Sequence, residues 1–217
     1  MARTPKPKPP APTLVLLVRH GTTPTTGKTL PGRAPGLHLA DKGIEQAAAA
    51  AARIAPLKNV TAVYASPLER TRETAAPIGK AVGTRVKIDR GLLECDFGAW
   101  TGATLAKLNK LPEWSTVQRY PSGFRFPDGE SFTEMQTRMV TTLQKLAAVH
   151  AGQTIVAVSH ADPIKAAVAH ALGTHLDLFQ RIVISPCSIT AIWYSSGGPA
   201  VLATNSTGDD LTTLGLS

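Results

Sequence analysis

The chain has 217 residues, 43% of them hydrophobic and 18% charged, which suits one soluble domain with a substantial core and leaves little room for two. Its net charge of +8 and pI near 9.8 point to an anionic partner, but the basic residues are scattered, which favours a small anion over nucleic acid. Cys95 and Cys187 lie far apart and form no CxxC pair, which argues for a reducing cytoplasm and against zinc, and no apolar run reaches membrane-spanning length.

Residues 1–12 are Pro-rich and basic and lack the apolar stretch of a secretory signal. They are expected to form a disordered or polyproline tail before a domain over 13–203, with a second tail over 204–217. Residues 14–18 are all Leu or Val and read as a buried parallel strand. That strand ends in Arg19, His20 and Gly21. A cation and a neutral nucleophile therefore stand at the carboxyl edge, where open α/β sheets bind ligands. Five residues separate Gly21 from Gly27 where a P-loop has four, and the Pro- and Gly-rich stretch after Lys28-Thr29 cannot be helical. The P-loop reading is set aside, while Lys28 and Arg33 remain candidates to lie beside an anion.

Residues 41–57 read as a helix with Ile44, Ala47, Ala48, Ala51 and Ile54 on one stripe, ended by Pro56. A strand over 60–64 leads to Ser66 and Pro67, an expected N-cap and first helical residue. Arg70 falls in that helix's first turn, facing the crevice of Arg19; Arg72 reads as a surface residue, and Pro77 should kink or shorten the helix. After a strand over 86–88, the loop 91–102 carries Glu94, Asp96, Phe97 and Trp100. Such a loop can bury a carboxylate against an aromatic ring and raise its pKa, as a general acid needs. Residues 108–127 mix Trp114, Tyr120, Phe124 and Phe126 with Arg119 and Arg125, a pattern that suits either a substrate-binding flap or aromatic core packing. A helix over 130–150 follows, with Phe132, Met135, Met139, Leu143 and Leu146 on one face and His150 at its end.

Residues 154–158 repeat the first layout: an apolar strand running into Ser159 and His160, then a helix over 163–172. Two such strands as neighbours place His20 and His160 at one crevice, whereas His170 and His175 read as structural or surface residues. Strands are expected over 182–184 and 188–194, with turn-rich chain from Gly197.

Five stretches now stand in order: Leu17-Val18-Arg19-His20-Gly21-Thr22, Ser66-Pro67-Leu68-x-Arg70-x-x-x-Thr74, Leu93-Glu94-x-x-Phe97-Gly98-x-Trp100-x-Gly102, Pro127-Asp128-Gly129-Glu130-Ser131 and Val158-Ser159-His160. Over residues 14–193 the chain resembles the histidine phosphatase superfamily, that of the cofactor-dependent phosphoglycerate mutases and related broad phosphatases. The resemblance implies an α/β three-layer sandwich with a mostly parallel central sheet flanked by helices. It implies a nucleophile at His20, phosphate binding by Arg19, Arg70 and His160, and an acid at Glu94; Arg33 and Ser159 are further candidate substrate contacts. The activity implied is hydrolysis of small phosphomonoesters through a phosphohistidine, with no metal or cofactor. Its alternatives are a phosphoglycerate mutase using the same residues and a non-catalytic phospholigand-binding protein. The partner implied is a phosphorylated small molecule, with neither nucleic acid nor membrane, and a homodimer is left open.

The chain departs from the family pattern in three places. Ala161 and Asp162 replace two glycines common after the second histidine, which makes Asp162 an alternative acid. Ala40 replaces a capping Thr or Ser, and a His-Leu common near the C-terminus is replaced around Asp210-Leu211.

Overall fold

The computed structural model describes residues 11–208 and 210–214. Most of the expected N-terminal tail, residues 1–10, lies outside them, as do residues 209 and 215–217 of the expected C-terminal tail.

The fold is built around β1 (Thr13–Arg19), whose residues from Leu14 to Val18 are buried on both faces. Val15 and Leu17 pack with Met139, Leu143 and Ile164, while Leu14, Leu16 and Val18 pack with Ile54, Ala75 and Ile78 on the opposite side. An unbroken apolar run is what a strand covered on both faces requires. The first set comes from α5 (Phe132–Val149) and α6 (Ala161–Ala171), and the second from α1 (Asp41–Ile54) and α2 (Glu69–Ala81). The remaining strands are β2 (Val60–Ala65), β3 (Val86–Ile88), β4 (Thr154–Ser159), β5 (Ile189–Ser195) and β6 (Gly198–Ser206). The sheet order is β3-β2-β4-β1-β5-β6. Pairing is parallel from β3 through β1, and antiparallel where β5 joins β1 and β6 joins β5. This is the expected three-layer α/β sandwich.

Two glycines bring α1 against the end of β1. A Cβ on Gly43 would stand 2.2 Å from the Thr22 carbonyl oxygen, and one on Gly21 would stand 2.5 Å from the Gly43 carbonyl oxygen. The start of α5 is closed by a reciprocal capping box between Ser131 and Glu134.

Several expected elements differ. Ser66 does not cap α2, which starts at Glu69, because the Ser66 hydroxyl is bonded to His160 instead. Pro77 lies inside α2, which burial of Thr74, Ala75 and Ile78 carries on to Ala81. Residues 182–184 form no strand and follow a 3-10 turn, Leu176–Arg181, as extended chain along the site. The turn-rich reading from Gly197 is corrected by β6, a half-exposed edge strand, and Leu211 beyond it is buried.

Of the two readings of residues 108–127, aromatic core packing is what Phe124 and Phe126 show, both being buried. The segment follows α3 (Leu105–Leu108) and contains α4 (Trp114–Arg119) and a 3-10 turn at Pro121–Gly123. Phe124 and Phe126 stack on Trp100, Phe97 and Phe132 with ring centroids 4.9 to 6.4 Å apart, and Trp114 joins at Trp100. These rings form a third apolar cluster. Among the described residues, no helix is long and apolar enough to cross a membrane.

Candidate active site

Strands β1 and β4 run parallel with Arg19 opposite Ser159. The next residue on each is a histidine, so His20 and His160 meet at the carboxyl edge with ring centroids 5.3 Å apart, edge to face. The His20 amide donates to the Ser159 carbonyl at 3.0 Å and ties the two turns together. His20 Nδ1 lies 2.8 Å from the Gly21 carbonyl, which can only accept, so Nδ1 carries the proton and Nε2 the lone pair. Burial, with Arg70 and Arg19 nearby, lowers the His20 pKa to about 3 against the pull of that carbonyl. The ring is a neutral nucleophile at any ordinary pH. His160 is fully buried, with Nε2 2.9 Å from Ser66 Oγ, and burial followed by the Arg70 charge depresses its pKa well below the usual range.

Two largely buried guanidiniums lie near the His20 ring. Arg70, fully buried in the first turn of α2, donates from Nη2 to the Gly32 carbonyl at 2.8 Å. Arg19 donates from Nη1 to the Ile184 carbonyl at 2.6 Å. Among the described residues, Arg19 Nε, Arg70 Nε and Nη1, and His160 Nδ1 are buried without a hydrogen-bond partner. Buried cationic donors left unspent are costly unless an anion uses them. Unspent guanidinium donors this near the His20 ring suit the oxygens of a phosphoryl group.

Glu94 lies opposite on the loop after the 3-10 turn at Arg90–Leu92, and its Oε1 accepts the Cys95 amide at 2.9 Å. Burial, and then the negative charge of Asp162, raise its pKa to about 7, more than the Cys95 amide, Arg70 and Arg19 lower it. Near neutrality the carboxyl can hold a proton and also give it up.

The Glu94 loop is gripped from behind. Arg138 on α5 donates to the carbonyls of Gly91, Leu93 and Glu94 at 2.8, 2.9 and 3.2 Å. It also holds Glu130 through two bonds of 2.8 and 2.9 Å. Arg33 Nε donates to the same Glu94 carbonyl at 2.9 Å, and its guanidinium lies 2.8 Å from Glu130 and 3.3 Å from Asp96. The charge of Arg33, expected to touch substrate, is matched by two carboxylates behind the loop. Ser159, the other expected contact, has a buried hydroxyl that donates to the Leu92 carbonyl at 2.8 Å. Nothing in the motif order singles out Arg138. Its one signal is a guanidinium three residues after Met135, on the flank of an apolar stripe.

If Arg138 aims the Glu94 carboxyl, Arg138→Gln should lower kcat on an alkyl phosphate by about 10²-fold, the cost of a small misplacement of a reacting group. On p-nitrophenyl phosphate, whose leaving group needs little protonation, the first chemical step should fall far less. Equal losses on both esters in single-turnover assays would mean that the clamp supports the fold and not the acid.

A cavity of about 380 Å³ is lined by Arg19, His20 and Glu94 together with Thr23, Thr26, Leu30, Leu105, Asp162, Lys165, Gln180 and residues 182–184, while Arg70 and His160 are not among its lining residues. No residue of 108–127 lines it, so Lys110, Arg119 and Arg125 lie elsewhere, and Lys28 is exposed outside it. A wider groove of about 510 Å³ along α2 and β3, lined by His38, Glu69 and Glu73, contains none of Arg19, His20, Arg70, Glu94 and His160. Among the described residues, no group of three or more His, Cys, Asp or Glu side chains could hold a metal ion.

The family model of the histidine phosphatase superfamily, branch 1, matches residues 15–207, and the chain belongs to that family. It is 33% identical over 201 residues to a protein of Mycobacterium tuberculosis named as bifunctional, covering 91% of this chain and 55% of that one. The chain thus spans about half the length of the curated relatives it matches there. It is 32% identical over 193 residues to a probable phosphoglycerate mutase of Erwinia tasmaniensis, covering 84% of this chain and 88% of that one. Its structure is similar to that of a phosphoserine phosphatase mutant from Entamoeba histolytica in complex with phosphoserine. That likeness has a TM-score of 0.81 and 29% identity over 90% of this chain and 98% of the other.

Proposed function

We propose that the chain is a cytoplasmic phosphoric monoester hydrolase that acts on small phosphomonoesters through a phosphohistidine at His20. The observation that carries this reading is the set of buried, unpartnered nitrogens on Arg19, Arg70 and His160, three groups near a His20 ring whose Nε2 carries the lone pair. Nε2 attacks phosphorus as the ester P–O bond breaks, and Glu94 gives its proton to the leaving oxygen. The guanidiniums and His160 stabilise charge on the equatorial oxygens without a metal ion. Glu94, now a carboxylate, takes a proton from water as that water attacks phosphorus; inorganic phosphate leaves and neutral His20 returns. Glu94 is preferred to Asp162 as the acid because burial holds its proton near neutrality, while Asp162 lies 3.3 Å from the Lys165 ammonium. The free thiols of Cys95 and Cys187 support the cytoplasmic setting.

The similarity to a probable phosphoglycerate mutase keeps one second reading in play. A mutase must hold its dephosphorylated product and exclude water until the phosphoryl group returns. Here Val183, 66% exposed, stands among the cavity's lining residues, which favours access of water. Phosphate release should exceed interconversion of 3- and 2-phosphoglycerate by about tenfold or more, with or without 2,3-bisphosphoglycerate, and should survive EDTA. Faster isomerisation on the same preparation would establish the mutase reading; no turnover of any phosphate ester would leave a binding protein.

A further inference from the structure

Of the two guanidiniums of the site, Arg19 lines the cavity and Arg70 does not. Beyond Arg19, His20 and Glu94, the charged residues lining it are Asp162 and Lys165, both in the first turns of α6. Their side chains are 18% and 17% exposed. Lys165 Nζ lies 3.3 Å from Asp162 Oδ1 and 3.1 Å from Gln180 Oε1, over the ring of Phe179 at 5.8 Å. The ammonium is thus matched by a carboxylate, an amide oxygen and an aromatic face.

A substrate with a carboxylate on its leaving group would find no unmatched cation here. It would also approach two acids, Asp162 and Glu94. An uncharged group with hydroxyls fits better: the second Asp162 oxygen can accept, and the Gln180 amide nitrogen can donate. Leu30, Leu105 and Ile184 line the same space with apolar surface suited to the carbon face of a ring. A volume of about 380 Å³ has room for more than a phosphoryl group.

We propose that Asp162, Lys165 and Gln180 form a selectivity surface that favours phosphomonoesters of uncharged, hydroxylated alcohols, polyol or sugar phosphates, over those bearing a carboxylate. This inference rests on the phosphatase reading of the same cavity. Discrimination comes as much from the unmatched negative charge a carboxylate would meet as from contacts to hydroxyls.

Glycerol 3-phosphate and 3-phosphoglycerate provide the test. They release phosphate from the same kind of primary alkoxide and differ by a hydroxymethyl group in place of a carboxylate. The wild type should favour glycerol 3-phosphate by about tenfold or more in kcat/KM. Asp162→Asn unmatches Lys165 and should shrink that ratio by about fivefold or more, whereas Lys165→Gln unmatches Asp162 and should widen it. Any change in the Glu94 proton affinity acts on both esters and cancels in the ratio. A wild-type ratio near one or inverted, no release from either alkyl ester, or a ratio that neither variant moves overturns the inference. p-Nitrophenyl phosphate is the control: if it is hydrolysed in those cases, the phosphatase reading stands, and if it is not, that reading falls together with the inference.

Discussion

His20→Ala should lower kcat on every phosphomonoester by about 10³-fold or more. The Ser159 hydroxyl is bonded to the Leu92 carbonyl, and the His160 ring is anchored at Nε2 by Ser66, so neither stands ready in place of the His20 Nε2. Because the His20 pKa is held at about 3, the imidazole is ready to attack without first losing a proton. Wild-type protein quenched briefly after mixing with labelled substrate should carry acid-labile, base-stable label, and the variant none. Arg19, Arg70 and His160 remain in the variant, so vanadate should still bind to it, which separates lost chemistry from lost fold. Label on Ser159 or on an aspartate would contradict the mechanism.

Glu94→Gln is the second large effect, with an expected loss of about 10² to 10⁴-fold on alkyl phosphates. Glutamine keeps the shape but can neither give nor take the proton. On p-nitrophenyl phosphate the first step should survive and the second should not, so the variant should show a burst of about one equivalent of nitrophenolate followed by slow turnover. The pH profile follows from the sign of the shift. Burial raises the Glu94 pKa to about 7, so the carboxyl is protonated, and able to serve as the acid, below that pH. Wild-type activity on alkyl esters should therefore fall as pH rises through about 7, and the variant should lose that limb. If Asp162→Asn removes the limb and Glu94→Gln does not, Asp162 is the proton donor.

Much of this architecture is legible in the sequence because its strongest signals are long and redundant. The unbroken apolar runs in β1 and β4 can be satisfied only inside a covered parallel sheet, and each delivers a histidine to the same edge. Local rules do worse where a residue has two uses. Ser66 and Pro67 look like a helix start, yet the Ser66 hydroxyl is engaged by a histidine 94 positions away. Arg33 looks free on a polar loop, but its partners Asp96 and Glu130 come from distant segments. Arg138 escapes notice because it acts on main-chain carbonyls, which leave no trace in residue type. The aromatic content of 108–127 fits a flap or a core equally well until the rings of Phe97, Phe132 and Phe179 are placed around it. β6 alternates partly buried and exposed residues at a sheet edge and lacks the apolar run that marks a central strand.

The register of β1 against β4 divides the molecule's labour in a way that bears on its history. His20 and His160 each stand one residue past a hydrogen-bonded pair of the ladder, so their spacing belongs to the sheet and cannot drift without breaking it. The remaining lining of the cavity sits instead largely on irregular backbone at 23–31 and 182–184, on the end of the 3-10 turn Leu176–Arg181 and on the first turns of α6. Substitutions there leave the ladder itself untouched. A lineage with this scaffold can exchange one alcohol for another in small steps while the phosphoryl chemistry stays constant, so substrate preference is its readily evolvable half.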